Sequence, residues 1–214
     1  MTRLTMLLLL GTLASSAFAG ILDVRHRTTL EDAAGDVESY DGGPVLDLTA
    51  LTIVSDGSEL AFSLTLATEA SKVLAATNSA GAVVTVFFDL DDDPATGVTT
   101  IFGDKPGFEA ELAIKACIEY DGGEACGGGL GGLPQTSHFA AWSVRKVKEG
   151  ELANAHDVFW ESPRGEIEGR TLSVTVPYAE LGLEPGQRVR MAVQEAGGGL
   201  GAEAFLPEVR LTLK

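Results

Sequence analysis

The stretch Leu46-Asp47-Leu48-Thr49-Ala50-Leu51-Thr52-Ile53-Val54-Ser55-Asp56-Gly57-Ser58-Glu59-Leu60-Ala61-Phe62-Ser63-Leu64-Thr65-Leu66-Ala67 decides the fold class. Its first half alternates Leu46, Leu48, Ala50, Thr52, Val54, and its second half alternates Leu60, Phe62, Leu64, Leu66. A repeat of two places one set of side chains on one face of a strand. Asp56-Gly57 between the runs is a hairpin-type turn signal. The segment therefore reads as two antiparallel strands that need a second apolar surface to cover them.

Working outward, Ala82 to Phe88 is apolar at almost every position, as in a strand buried on both faces. Phe108, Ala110, Leu112, Ile114, Ala116 and Ile118 alternate again. Phe139 to Val147, Asp157 to Trp160, Arg170 to Val176, Arg188 to Ala196 and Val209 to Leu213 continue the series. Helical periodicity is confined to Leu66 to Thr77 and to one turn over Tyr178 to Leu183 that ends at Gly182. About nine short strands with little helix predict an all-β, antiparallel, jelly-roll-like β-sandwich. Residues 45–214 form that domain, and residues 20–44, polar and acidic, are expected to join it as an irregular segment.

Residues 1–19 have the form of a secretory signal peptide. Arg3 precedes a short apolar core, and Ala17-Phe18-Ala19 fits a small-x-small cleavage rule before Gly20. The apolar run is too short to span a bilayer. The expectation is an exported protein, secreted or periplasmic, with no membrane span. Two cysteines, Cys117 and Cys126, agree with an oxidising compartment, where a disulfide is the default. Closing that short loop contributes about 2.5–3 kcal/mol in the chain-entropy account.

The chain has 214 residues and a formal net charge of −16. So acidic a surface argues against nucleic acid as a partner. The charge is uneven: residues 21–130 carry 20 acids against 5 bases, and residues 131–214 carry 11 against 9. Acid concentrated in one half suggests a cation. The densest run is Phe87-Phe88-Asp89-Leu90-Asp91-Asp92-Asp93-Pro94-Ala95-Thr96-Gly97, where an apolar strand runs into four carboxylates. Asp89, Asp91 and Asp93 have the i, i+2, i+4 spacing of loops that hold Ca2+ through oxygen. The loop is not an EF-hand: Pro94 stands at the sixth position and Thr100 at the twelfth. Its shell must be completed from elsewhere, with Asp36, Asp47, Glu109 and Glu111 as candidates. The alternative is a solvated acidic turn built on Asp93-Pro94.

Asp-x-Asp-x-Asp-Pro-Ala-Thr-Gly after an apolar strand resembles the loop of carbohydrate-binding module family 9-like, or DOMON-like, domains. Asp36, then Asp47-Leu48-Thr49 with its Asp-Gly hairpin, and Val174-Thr175-Val176-Pro177-Tyr178-Ala179-Glu180-Leu181-Gly182 are similar to further segments of that group. The resemblance implies a secreted jelly-roll-like sandwich with structural calcium, in a group that includes sugar-binding, haem-binding and accessory modules. It places Asp36, Asp47, Asp89, Asp91, Asp93 and Glu109 at acidic positions.

Outside the acids, chemistry-bearing residues are sparse. Trp142 and Trp160 lie in strand patterns and read as core. Tyr40 and Tyr120, in Gly-rich surroundings, are the candidate ligand contacts. His26, His138 and His156 are isolated, no Gly-x-Ser-x-Gly elbow is present, and Met191, the candidate haem ligand, reads as core. The sequence thus points to a non-catalytic binding module with a glycan as the ligand class, or to a structural or protein-interaction component of the bacterial envelope.

Overall fold

The computed structural model describes residues 21–35, 45–77, 81–99, 105–120, 134–148, 151–154, 164–195 and 205–214. In chain order the elements are β1 (Leu22–Arg25), β2 (Arg27–Glu31), β3 (Leu48–Ser55), β4 (Glu59–Leu66), α1 (Ala70–Thr77), β5 (Gly81–Asp89) and β6 (Ala110–Tyr120). They continue with β7 (Pro134–Lys148), β8 (Glu151–Asn154), β9 (Arg164–Glu168), β10 (Thr171–Pro177), α2 (Tyr178–Leu181), β11 (Arg188–Glu195) and β12 (Val209–Thr212). The described residues are all-β with two short helices, both where the sequence placed helical turns. Among the described residues no helix is long and apolar enough to cross a membrane.

The strands do not form a nine-strand sandwich. Eleven of them follow one hydrogen-bonded order, β1-β12-β11-β5-β6-β7-β9-β10-β4-β3-β2, with β8 attached to β7. The two ends of that order, β1 and β2, are consecutive in the chain and separated only by His26. The His26 amide donates to the Thr212 carbonyl at 3.0 Å, and its own carbonyl accepts from Ser55 at 2.8 Å. With φ of +59° at His26, the chain turns a corner and passes from β12 to β3. The sheet is thereby brought close to barrel closure. The second corner is β9, which pairs with β7 on one side and β10 on the other. Gly165 permits it, because a Cβ there would lie 2.1 Å from the Ser173 carbonyl oxygen.

Strand β8 is absent from the sequence reading, and so are β1, β2 and β9. The last three are four or five residues long, and most of their side chains face solvent. Their pairing is dictated by partners distant in sequence, not by an apolar run. The segment 20–44 is accordingly not irregular throughout, since Leu22–Arg25 and Arg27–Glu31 are strands.

One apolar core fills the interior, drawing on Leu51, Ile53, Phe62, Leu64, Leu112, Ile114, Val174 and Met191 among others. Each such fully buried side chain contributes about 1.5–3 kcal/mol of transfer free energy. Trp142 is buried, as expected, and so is Met191. Strand β4 buries Leu60, Phe62, Leu64 and Leu66, the face read from the sequence. Strand β3 does not keep its expected face. It buries Leu48, then Leu51, Ile53 and Ser55, because the ladder with β4 shifts register between Leu48 and Ala50. A bulge inserts one residue and exchanges the two faces beyond it. A second apolar group, Phe87, Phe108 and Ala192 with Phe205 against it, covers the outer side of β5 and β11 next to the acidic loop.

Candidate metal centre

Asp89 is the last residue of β5, and the antiparallel registers decide what surrounds it. Arg190 on β11 lies directly opposite Asp89, and Ala110, the first residue of β6, lies opposite Phe88. Glu109 therefore arrives beside the end of β5, where its amide donates to the Phe88 carbonyl at 2.9 Å. Beyond Asp89 the loop folds back, and Val98 and Phe108 pair as an isolated bridge.

This geometry converges three carboxylates. One oxygen from each of Asp89, Asp91 and Glu109 lies within 4.8 Å of the others. Oxygen ligands on opposite sides of a Ca2+ ion stand at about twice the 2.3–2.6 Å bond length, so this spacing fits that ion. The Thr96 hydroxyl sits in the same place, with its Oγ1 3.0 and 3.1 Å from the two Asp91 oxygens, 2.9 Å from Glu109 Oε1 and 2.9 Å from the Asp93 carbonyl. A hydroxyl has one proton, so it can satisfy one of these four acceptors at a time. Gly97 presses the loop onto Glu109: its φ is +67°, and a Cβ there would stand 2.4 Å from Glu109 Oε1. The donor set is all oxygen and acidic, as a hard cation requires.

Backbone amides hold the acids in place. Leu90 donates to Glu109 Oε2 at 2.8 Å, and Asp93 donates to Asp89 Oδ1 at 3.2 Å and Asp91 Oδ1 at 3.0 Å. Two of the five acids have guanidinium partners: Asp89 pairs with Arg190, and Asp92 with Arg210 at 2.8 Å. Among the described residues no base pairs with Asp91, Asp93 or Glu109. Burial raises the Glu109 carboxyl above its usual range, and the charges of Asp91 and Asp89 add to this. Burial likewise raises Asp89, against the lowering effect of Arg190.

The expected residues divide as follows. Asp89, Asp91 and Glu109 are brought together. Asp93 shapes the loop instead, its Oδ1 accepting from the Ala95 amide at 2.9 Å. Glu111 is opposite Arg145 on β7 and is held by that guanidinium, Nε at 2.9 Å. Asp47 does not belong to this centre. It precedes Leu48, whose amide donates to Glu195. Glu195 pairs with Val84, five residues from Arg190 along β11, or about 17 Å at the rise of an antiparallel strand.

Asp36, Tyr40, Cys126, His156, Trp160, the 155–160 strand segment and the 1–19 leader lie outside the described residues, and Tyr120 is described only as backbone of β6. No described cysteine is a free thiol, and Cys117 is disulfide-bonded. Sequence reasoning missed Thr96, Gly97 and Arg190. Thr-Gly at the loop's end was a signal for the first two, whereas Arg190 carries none, being 101 residues from Asp89.

Comparison of the chain with protein-family models, with curated proteins and with solved structures finds no match.

Proposed function

We propose that this chain is an exported, non-catalytic binding module whose strand-end loop is stabilised by Ca2+, with a glycan as its ligand class. The observation that carries the metal reading is the convergence of Asp89, Asp91 and Glu109, one oxygen of each within 4.8 Å of the others. Asp89, Asp91 and Glu109 would hold the ion, and it would supply the positive charge that Asp91 and Glu109 do not receive from any described base. A structural role is supported by the amides of Leu90 and Asp93, which tie these acids into the loop rather than leaving them open to a reactant. The glycan class rests on the resemblance of Asp89 to Gly97 and Val174 to Gly182 to carbohydrate-binding module family 9-like domains.

Thermal unfolding of the chain in EDTA, then with Ca2+ or Mg2+, tests the metal. A rise in Tm specific to Ca2+ supports it by linkage, since a ligand at 100 times its Kd adds about 2.7 kcal/mol. An unchanged Tm reduces the loop to a solvated turn. Screening the Ca2+-loaded chain on a glycan array tests the ligand class.

A structural or protein-interaction component of the envelope is the second reading. Ile21 and Leu22, leading into β1 at one end of the strand order, are the large apolar side chains left exposed among the described residues. A silent glycan array together with concentration-dependent association that Leu22→Ser abolishes would favour it.

A further inference from the structure

We propose that the outer face of β5, β6 and β7 around Lys115 is a binding site for an acidic sugar, one that presents a single carboxylate. The proposal rests on the glycan reading above and names the class of glycan. Cross-strand registers build the face. Thr85, Ala113 and Ser143 lie in one row across β5, β6 and β7, and Phe87, Glu111 and Arg145 lie in the row beside it. Lys115 is two residues beyond Ala113 on β6, hence on the same face, with Ala141 opposite it on β7. The alternate residues Leu112, Ile114 and Trp142 point into the core, so these rows point away from it. Two apolar groups flank them, Phe87 with Phe108 and Ala192 on one side, and Cys117 with Phe139 and Ala141 on the other. Between those groups Thr85, Ala113, Lys115 and Arg145 are partly open to solvent, while Glu111 is buried and Ser143 is only 7% exposed. Small side chains at Ala113, Ala141 and Ser143 keep the floor low, which makes a recess beside the Lys115 stem.

What sets this recess apart is an unspent positive charge. Glu111 is taken up by Arg145, whose Nε and Nη2 reach both of its oxygens. Among the described residues the Lys115 ammonium has no hydrogen-bond or ion-pair partner, and neither hydroxyl, of Ser143 or of Thr85, has one. Burial, followed by the like charge of Arg145, pulls the Lys115 ammonium below the usual lysine range, with Glu111 acting the other way. Arg145 and Glu111 cancel, so the three groups leave one net positive charge. A cation withdrawn from water costs free energy unless it is paired. One carboxylate supplies that pair through a charge-assisted hydrogen bond, and a dianionic phosphate would bring a charge too many. The Ser143 and Thr85 hydroxyls can each donate to and accept from sugar hydroxyls in the same recess. The chain's net charge of −16 repels anions at long range. Physiological salt screens that field beyond about 8 Å, so the nearest charge decides.

The test is calorimetric titration of the full chain, in Ca2+ buffer, with trisaccharides of galacturonate, glucuronate and mannuronate, each beside its carboxyl-reduced neutral form. The proteins are the wild type, Lys115→Met, Lys115→Gln and, as a control at an exposed lysine, Lys72→Met. At least one uronate is expected to bind the wild type and Lys72→Met alike, and its neutral form to bind about tenfold more weakly or worse. Lys115→Met and Lys115→Gln should lose about tenfold or more toward the uronate and no longer tell the two forms apart. Without sugar, the Tm of Lys115→Met should equal or exceed that of the wild type, because the ammonium holds nothing in the fold. A marked fall in Tm in both Lys115 variants would assign the lysine to stability and overturn the site. A neutral form bound as tightly as its uronate, or uronate binding unchanged in Lys115→Met, overturns the site and leaves the glycan reading standing. Silence toward every saccharide, here and on the glycan array, overturns the glycan reading and this site with it.

Discussion

Asp89 and Arg190 face each other across the β5–β11 ladder, with Arg190 Nε and Nη2 both 2.8 Å from Asp89 Oδ2 and both side chains almost wholly withdrawn from water. Arg190 is fixed on its other sides by the Phe108 ring, 4.9 Å from the guanidinium carbon, and by the Pro106 carbonyl at 2.7 Å. The acidic loop thus has a buried positive charge built in, besides the more exposed Arg210 on Asp92. Arg190→Met leaves Asp89 buried and uncompensated, and breaking such a pair costs about 3–5 kcal/mol. The expected outcome is a large fall in Tm in EDTA, of which Ca2+ recovers more than it adds to the wild type. An equal fall in Tm with and without Ca2+ would uncouple Asp89 from the ion.

Gly97 offers a second test of the loop. Alanine there meets Glu109 Oε1 at 2.4 Å and the Phe108 carbonyl oxygen at 2.5 Å, on a backbone with φ of +67°. Gly186→Ala is the control, since its φ is +75° with nothing within 4 Å of the added Cβ. Both variants carry the strain of a positive φ, but only Gly97→Ala displaces Glu109. Gly97→Ala is expected to destabilise by more than about 1 kcal/mol and to weaken Ca2+ binding at least tenfold, measured by urea unfolding and calorimetry. Gly186→Ala should leave Ca2+ affinity unchanged. Equal effects of the two on affinity would show that Gly97 does not shape the site.

The turn between β3 and β4 predicts a pH dependence. The Asp56 carboxylate accepts from the amides of Ser58 at 2.8 Å and Glu59 at 2.9 Å. These bonds hold its pKa below the ordinary value of 3.8. The folded state therefore favours the ionised form. That contribution is present above the unfolded carboxyl's pKa and is lost as pH falls through the lower folded one. Asp56→Asn keeps an acceptor but loses the charge. Its Tm should lie below the wild type at pH 7, and the two should converge in acid. A gap that stays constant down to pH 2 would show that ionisation is not the source.

Tyr178 ties three parts of the molecule. Its hydroxyl bonds Ser55 Oγ, which also accepts from the Lys214 amide at 2.7 Å, and its own amide donates to the Ser58 carbonyl at 2.9 Å. Tyr178→Phe removes one buried hydrogen bond and is expected to cost about 0.5–1.5 kcal/mol. In a double-mutant cycle with Ser55→Ala, a coupling near zero by urea unfolding would mean that the hydroxyl pair contributes nothing.

Local pattern was enough for several elements. The alternation of Leu60, Phe62, Leu64 and Leu66 is the buried face of β4, and the mixed apolar run at Val83 to Phe88 is a strand covered on both sides. Gly182 ends α2 with φ of +78° as the sequence implied. The nearness of Asp89 and Asp91 was legible because side chains two apart near a strand end share a face. These features depend on neighbours within a few residues, so the sequence by itself determined them.

Which groups meet across the molecule was decided only by the tertiary structure. Glu109 joins Asp89 and Asp91 because β6 pairs with β5 in one register, whereas Asp93, closer in sequence, is spent on its own turn. Arg190 reaches Asp89, and Glu195 reaches Leu48 beside Asp47, because β11 lies against β5 in another. The bulge between Leu48 and Ala50 exchanged the faces of β3, and His26 carried the chain from one end of the sheet to the other. A one-residue change in register moves every side chain of a strand to the opposite face. Register is set by the summed packing of strands far apart in the chain, and no local spacing records it.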